Sequence, residues 1–200
     1  MPLLKPSLLA LLLLPLCWMV WQGLAGQLGA NPIEALTHQS GHWALRLLLL
    51  TLALRPLAQL SGWRWPMAIR RLVGLMSFFY ALLHLGIYVG LDHFFDTQAI
   101  LDDLRHRPYI AFGMAAFALL LLLAATSSQA AMRRLGRRWG QLHRLIYPAA
   151  LLGLLHYWLV SKTGSETWLY GYTVLTLLLL ALRWPLRQRN GRIQATREKG

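Results

Sequence analysis

Three histidines, His84, His143 and His156, fall within or at the ends of long apolar runs. A neutral imidazole ligates metals through a ring nitrogen. An ionisable side chain inside a membrane is costly enough to be read as functional by default. The chain's single cysteine, Cys17, also sits in an apolar run. That excludes a Cys-x-x-Cys-His haem attachment, an iron–sulfur cluster and a structural zinc site of the usual type, so any metal here is held mainly by histidine. No Gly-rich nucleotide fingerprint is present, and no loop is long enough to fold as a flavin- or nicotinamide-binding domain. The chemistry therefore belongs inside the bilayer or with partners.

The elements that carry these histidines follow from composition. Of the 200 residues, 56% are hydrophobic and 14% charged. A soluble domain carries about 25% charged residues, and a disordered chain is far less apolar. Six segments approach the roughly 20 apolar residues that a spanning helix needs. They run over about 7–24, 43–60, 72–91, 109–127, 142–160 and 167–184. The first is read as a retained helix rather than a cleaved signal peptide, because its apolar stretch is long and Trp18 and Trp21 suit an interface. The expectation is an all-α bundle of six transmembrane helices over 1–186, followed by a basic tail over 187–200.

The net charge is +13. In a soluble protein that would suggest nucleic acid. Here the positive-inside rule explains it more simply, and no nucleic acid is expected as a partner. Lys5, the Arg55–Arg71 region, Arg133, Arg134, Arg137, Arg138, Arg144 and the arginine-rich tail alternate with connections bearing Glu34, Asp92, Asp96, Asp102, Asp103 and Glu166. Both termini are then cytoplasmic, with the tail near anionic membrane lipid, and the acidic face points outward.

This topology gives the histidines depths. His84 lies 12 residues into the third span, about 18 Å, and His156 lies 14 residues into the fifth, about 21 Å. The two helices run parallel, so the imidazoles share a level, as an axial pair on a b-type haem iron requires. Ala81 and Gly153, one turn before each, would let a flat macrocycle approach. The alternative is that each histidine hydrogen-bonds a neighbouring helix and the small residues merely pack.

His143 lies 13 residues before His156, about 19.5 Å lower, a spacing suited to a second haem. The angular offset, about 220° on a straight helix, does not suit it, although Pro148 lies between. At the matching depth of the third span stand Arg70 and Arg71, poor iron ligands but good partners for haem propionates or a flavin phosphate. His143 could equally be an interfacial residue bonding a helix end. Arg46, one turn inside the second span, is a candidate propionate partner or a snorkelling arginine. His38, His42, His93 and His106 are expected in outer loops as solvated or capping residues.

Several stretches carry a resemblance. Arg70-Arg71-Leu72-Val73-Gly74-Leu75, Tyr80-Ala81-Leu82-Leu83-His84, Ser127-Ser128-Gln129-Ala130, Leu135-Gly136-Arg137-Arg138-Trp139 and Gln141-Leu142-His143-Arg144-Leu145-Ile146-Tyr147 resemble the MsrQ family. Gly29-Ala30-Asn31-Pro32, His38, Gly41 and Arg107-Pro108-Tyr109 fit as well. This family of bacterial haem-binding membrane subunits lies within the ferric-reductase-like transmembrane proteins. The resemblance implies one or two b-type haems and FMN, in the bacterial inner membrane. It implies electrons from the quinone pool, or from a cytosolic flavin reductase, delivered to MsrP, a periplasmic molybdopterin enzyme that reduces methionine sulfoxide. The family's functional histidines map onto His84, His143 and His156, while larger relatives carry a fourth that this chain lacks. The chain would then be an electron-transfer subunit rather than an enzyme in itself. A cytochrome b serving another acceptor, or a cofactor-free scaffold or transporter, are the competing readings.

Overall fold

Asn31 and Pro32 start the longest helix. The Asn31 side chain accepts from the Glu34 N–H at 3.3 Å and donates to the Glu34 carboxylate at 2.9 Å, and Pro32 occupies the first turn. The computed structural model describes residues 4–161 and 167–182. Its helices are α1 (Leu4–Leu24), α2 (Pro32–Ser61), α3 (Trp65–Ile87), α4 (Thr97–His106), α5 (Pro108–Ala125), α6 (Gln129–Leu135), α7 (Arg137–Leu142), α8 (Ile146–Val160) and α9 (Thr167–Ala181). No strand occurs among the described residues. A π-helical turn, Tyr88–Asp92, extends α3, and a 3-10 turn, His143–Leu145, precedes α8.

Four of these helices, over Lys5–Leu24, Pro32–Ser61, Trp65–Asp92 and Pro108–Ala125, are long and apolar enough to cross a membrane. The fifth and sixth expected spans appear as the 15-residue helices α8 and α9. The end of the sixth, to Trp184, the tail 187–200, and Lys162 and Glu166 lie outside the described residues.

Two expectations are corrected. The second span begins at Pro32 rather than near Trp43, because the Asn31 cap starts the helix upstream. That places His38 and His42 on α2 instead of in a loop. The connections are also partly helical. Asp96 caps α4 by accepting from the N–H groups of Gln98 and Ala99 at 2.9 and 3.1 Å, and Ser128 caps α6 by accepting from Ala131 at 3.0 Å. The left-handed Gly62, at φ +74°, ends α2.

Helix α2 stands between two cores. One face packs Leu47 and Leu54 with Leu12 of α1 and Val73, Met76 and Tyr80 of α3. The other packs Leu45, Leu48, Leu49 and Leu52 with α5, α8 and α9, including Leu120, Ala149, Ala150 and Leu154. Thr51 lies where a Gly74 side chain would be, 3.4 Å away, so α2 and α3 approach closely at a small residue. The Ser77 hydroxyl donates to the Ala44 carbonyl at 2.9 Å across the same contact. Helices α3 and α8 are thereby held on either side of α2, with α5 packed along α8.

Candidate functional site

His84 on α3 and His156 on α8 meet within the bundle. Their ring centroids are 6.0 Å apart and their planes differ by 78°. A metal–imidazole bond is about 2 Å, so two imidazoles on opposite faces of one haem iron have centroids about 6 Å apart. The pair has that spacing.

Both rings are held in the same way. The His84 Nδ1 lies 2.9 Å from the Thr37 carbonyl of α2, and the His156 Nδ1 lies 2.7 Å from the Tyr109 carbonyl of α5. A carbonyl only accepts, so in the neutral rings Nδ1 carries the proton and Nε2 keeps its lone pair. This is the tautomer a ligating histidine needs, with its other nitrogen tied to an acceptor. Four residues beyond each carbonyl stands a glycine, Gly41 or Gly113. A Cβ at Gly41 would sit 3.1 Å from the His84 Nδ1, and one at Gly113 would sit 2.9 Å from the His156 Nδ1. The two helices thus use one device, a carbonyl for orientation and a missing side chain for room. Sequence reasoning overlooked it. The signal was the matching Thr37-x-x-x-Gly41 and Tyr109-x-x-x-Gly113 spacing.

The histidines line a cavity of about 620 Å³, within the range of small-molecule and cofactor sites. Ala81 and Gly153 line it as expected, and a Cβ on Gly153 would meet nothing within 4 Å. Leu45, Leu48, Phe117 and Leu120 supply apolar walls. The buried Ser161 hydroxyl, in the same lining, has no hydrogen-bond partner among the described residues. Apolar walls, an ordered imidazole pair at this separation and an orphaned polar atom all fit a haem.

His38 and His42 line the same cavity, and the His42 ring meets Tyr157 edge-on at 5.1 Å. The guanidinium at this cavity belongs to Arg107, not to Arg46. Arg46 Nε donates to the Tyr172 hydroxyl at 2.7 Å, and its guanidinium lies 5.1 Å over the Trp43 ring. Arg107 is tied to Asp103 at 3.1 Å; Asp103 also accepts from Tyr88 at 3.1 Å and lies 3.2 Å from the His93 Nε2. This network fixes the π-helical turn and α4 beside the cavity.

His143 is not brought to the pair. Its Nε2 lies 3.3 Å from the Thr126 hydroxyl, which itself donates to Leu122 at 2.7 Å, so the imidazole is the donor to Thr126. Trp139 stacks on the ring at 4.0 Å and donates to the Thr126 carbonyl at 3.0 Å. Arg70 lies within electrostatic reach of both His143 and Arg55, while Arg71 is exposed. His143, Arg70 and Arg71 do not line the cavity. Among the described residues, no cluster of three or more His, Cys, Asp or Glu could hold a metal ion, whereas a haem iron asks the protein for only axial ligands.

Residues 40–154 match the family model for the ferric reductase like transmembrane component. The chain is 50% identical over 183 residues to the protein-methionine-sulfoxide reductase heme-binding subunit MsrQ of Rhodospirillum rubrum, covering 90% of this chain and 88% of that relative. It is 44% identical over 193 residues to the MsrQ of Herminiimonas arsenicoxydans, covering 94% and 88%. With the MsrQ of Xanthomonas euvesicatoria it shares 50% identity over 163 residues, covering 80% and 74%.

Proposed function

Because this chain belongs to the MsrQ family, within the ferric-reductase-like transmembrane proteins, we propose that it is a membrane b-type cytochrome in which His84 and His156 hold the haem. The observation that carries this reading is the imidazole pair at 6.0 Å with both Nδ1 atoms committed to backbone carbonyls. Bound there, a b-type haem supplies reversible one-electron transfer. The chain's own residues do the rest. Thr37 and Tyr109 orient the ligating rings, Gly41 and Gly113 leave them room, and the leucines of α2 and α5 give the cavity apolar walls. Ser161, Arg107, His38 and His42 are among the polar residues that line the cavity and could meet the edge of the macrocycle.

The chain passes electrons across the bacterial inner membrane as a subunit and breaks no substrate bond itself. The donor is the quinone pool or a cytosolic flavin reductase, FMN is a second cofactor, and the acceptor is the periplasmic molybdopterin enzyme MsrP. Both termini are cytoplasmic. Charge supports this orientation. Among the described residues every carboxylate, from Glu34 to Asp103, lies in or beside α4 and at the start of α2, and the arginines concentrate at the other end. His143 serves as a helix-junction residue; a second haem on it would first have to displace Thr126 from Nε2. The test is anaerobic reduction of purified MsrP by the quinol-reduced protein in vesicles. Transfer by the wild type that is abolished in His84→Ala and His156→Ala supports the reading. Transfer that survives both substitutions overturns it.

A further inference from the structure

A second cavity, of about 540 Å³, opens where α2, α7, α8 and α9 meet. Arg55, Arg137 and Arg144 line it, with Gln59 and Gln141, over an apolar floor that includes Leu52 and Leu179. The convergence is built into the spacing. Arg137, Gly140, Gln141 and Arg144 recur at intervals that share one helical face, and Gln59 lies one turn beyond Arg55 on α2. A Cβ on Gly140 would meet nothing within 4 Å, so the groove is open there. Among the described residues these three guanidiniums have no carboxylate partner; the ion pairs there all involve Asp102 or Asp103. A snorkelling arginine needs only water or a head group. Three that come from two distant segments to one concavity with an apolar floor describe a recognition site. Guanidinium forks match phosphate oxygens bidentately, and the glutamine amides add neutral donors.

We propose that this groove binds the phosphate of an amphipathic ligand, with Arg55, Arg137 and Arg144 on the phosphate and the ligand's apolar body against Leu52 and Leu179. The phosphate has two possible sources, a flavin mononucleotide or an anionic phospholipid. The site stands on the groove alone and does not depend on the haem at His84 and His156.

The test uses the purified full-length protein in a non-ionic detergent. One arm titrates FMN and riboflavin by fluorescence quenching. The other measures retention of phosphatidylglycerol and phosphatidylcholine by native mass spectrometry. A flavin source predicts FMN bound at least about tenfold tighter than riboflavin, with that preference lost in Arg137→Gln/Arg144→Gln. A lipid source predicts selective phosphatidylglycerol retention, lost in the same variant. The single substitution Arg144→Gln, with a smaller loss in whichever arm responds, covers a double variant that fails to fold; the haem absorbance reports folding. Wild type that shows neither phosphate preference, or variants that keep it in full, overturns the proposal. A colourless wild type would overturn the haem reading and leave this test standing.

Discussion

Two glycines decide how tightly the imidazoles are held. Gly113 is the sharper case, because its Cβ would lie 2.9 Å from the His156 Nδ1 and 3.0 Å from Cε1. The helix backbone cannot retreat, so Gly113→Ala must turn the ring away from the Tyr109 carbonyl. Overpacking of this kind costs about 1–3 kcal/mol, and loss of an orienting partner typically costs about 10–100-fold in metal affinity. Gly113→Ala is expected to lower haem retained per chain by about tenfold or more. Gly41→Ala, at 3.1 Å, should lower it less, and Gly86→Ala, where a Cβ meets nothing within 4 Å, should not lower it. Absorbance per chain after size exclusion orders the three. Equal retention in all of them would contradict the bracing role.

At the scale of helices, α1 is tied to the site through Tyr80. Pro15 lies inside α1, and the hydroxyl of the fully buried Tyr80 sits at that turn, accepting from the Leu16 N–H at 3.1 Å and donating to the Leu12 carbonyl at 2.9 Å. Tyr80 is one turn before His84, so the clamp also fixes the segment of α3 that carries His84. Tyr80→Phe leaves the Leu12 carbonyl and the Leu16 amide without the hydroxyl and should cost about 1–3 kcal/mol. Thermal unfolding in detergent should show the loss while the haem content at low temperature stays unchanged. His143 joins α5 to the start of α8 through Thr126 and Trp139. His143→Ala is expected to lower the unfolding temperature and to leave the haem-to-chain ratio unchanged; a halved ratio would instead put a second haem on His143.

Apolar length located the cores of α1, α2, α3, α5, α8 and α9 but not the polar connecting helices α4, α6 and α7, and equal depth alone paired His84 with His156. Helix starts were less legible, because an Asn-Pro cap at the membrane edge extended α2 by about three turns and carried His38 and His42 into the cavity lining. Arg46 misled because depth carries no azimuth: it faces Tyr172 of α9, and Arg107 reaches the cavity instead. Nothing in a single helix's pattern says which carbonyl of another helix an imidazole will meet.

Across the whole molecule the charges separate. The described carboxylates gather at one end, with α4 and the start of α2, and the groove arginines stand at the other. An acidic face of this kind would steer a positively charged partner surface. Asp103 is a poor probe of docking, because its carboxylate joins Tyr88, His93 and Arg107. Asp102 is exposed and, among the described residues, its carboxylate is ion-paired with Arg105 alone, at 3.5 Å, so it reports docking without breaking the network. Asp102→Lys should slow MsrP reduction several-fold at low ionic strength and lose most of that effect at high salt. An unchanged rate at low salt would contradict docking at this face.

The proposed electron transfer rests on one b-type haem held between His84 and His156. Its most direct test is the oxidised and dithionite-reduced spectrum of the detergent-purified protein, with a pyridine haemochrome to count haem per chain, from cells able to supply haem. The wild type should carry one b-type haem per chain, lost in both His84→Ala and His156→Ala. A colourless wild type, or full haem content in either variant, would contradict it.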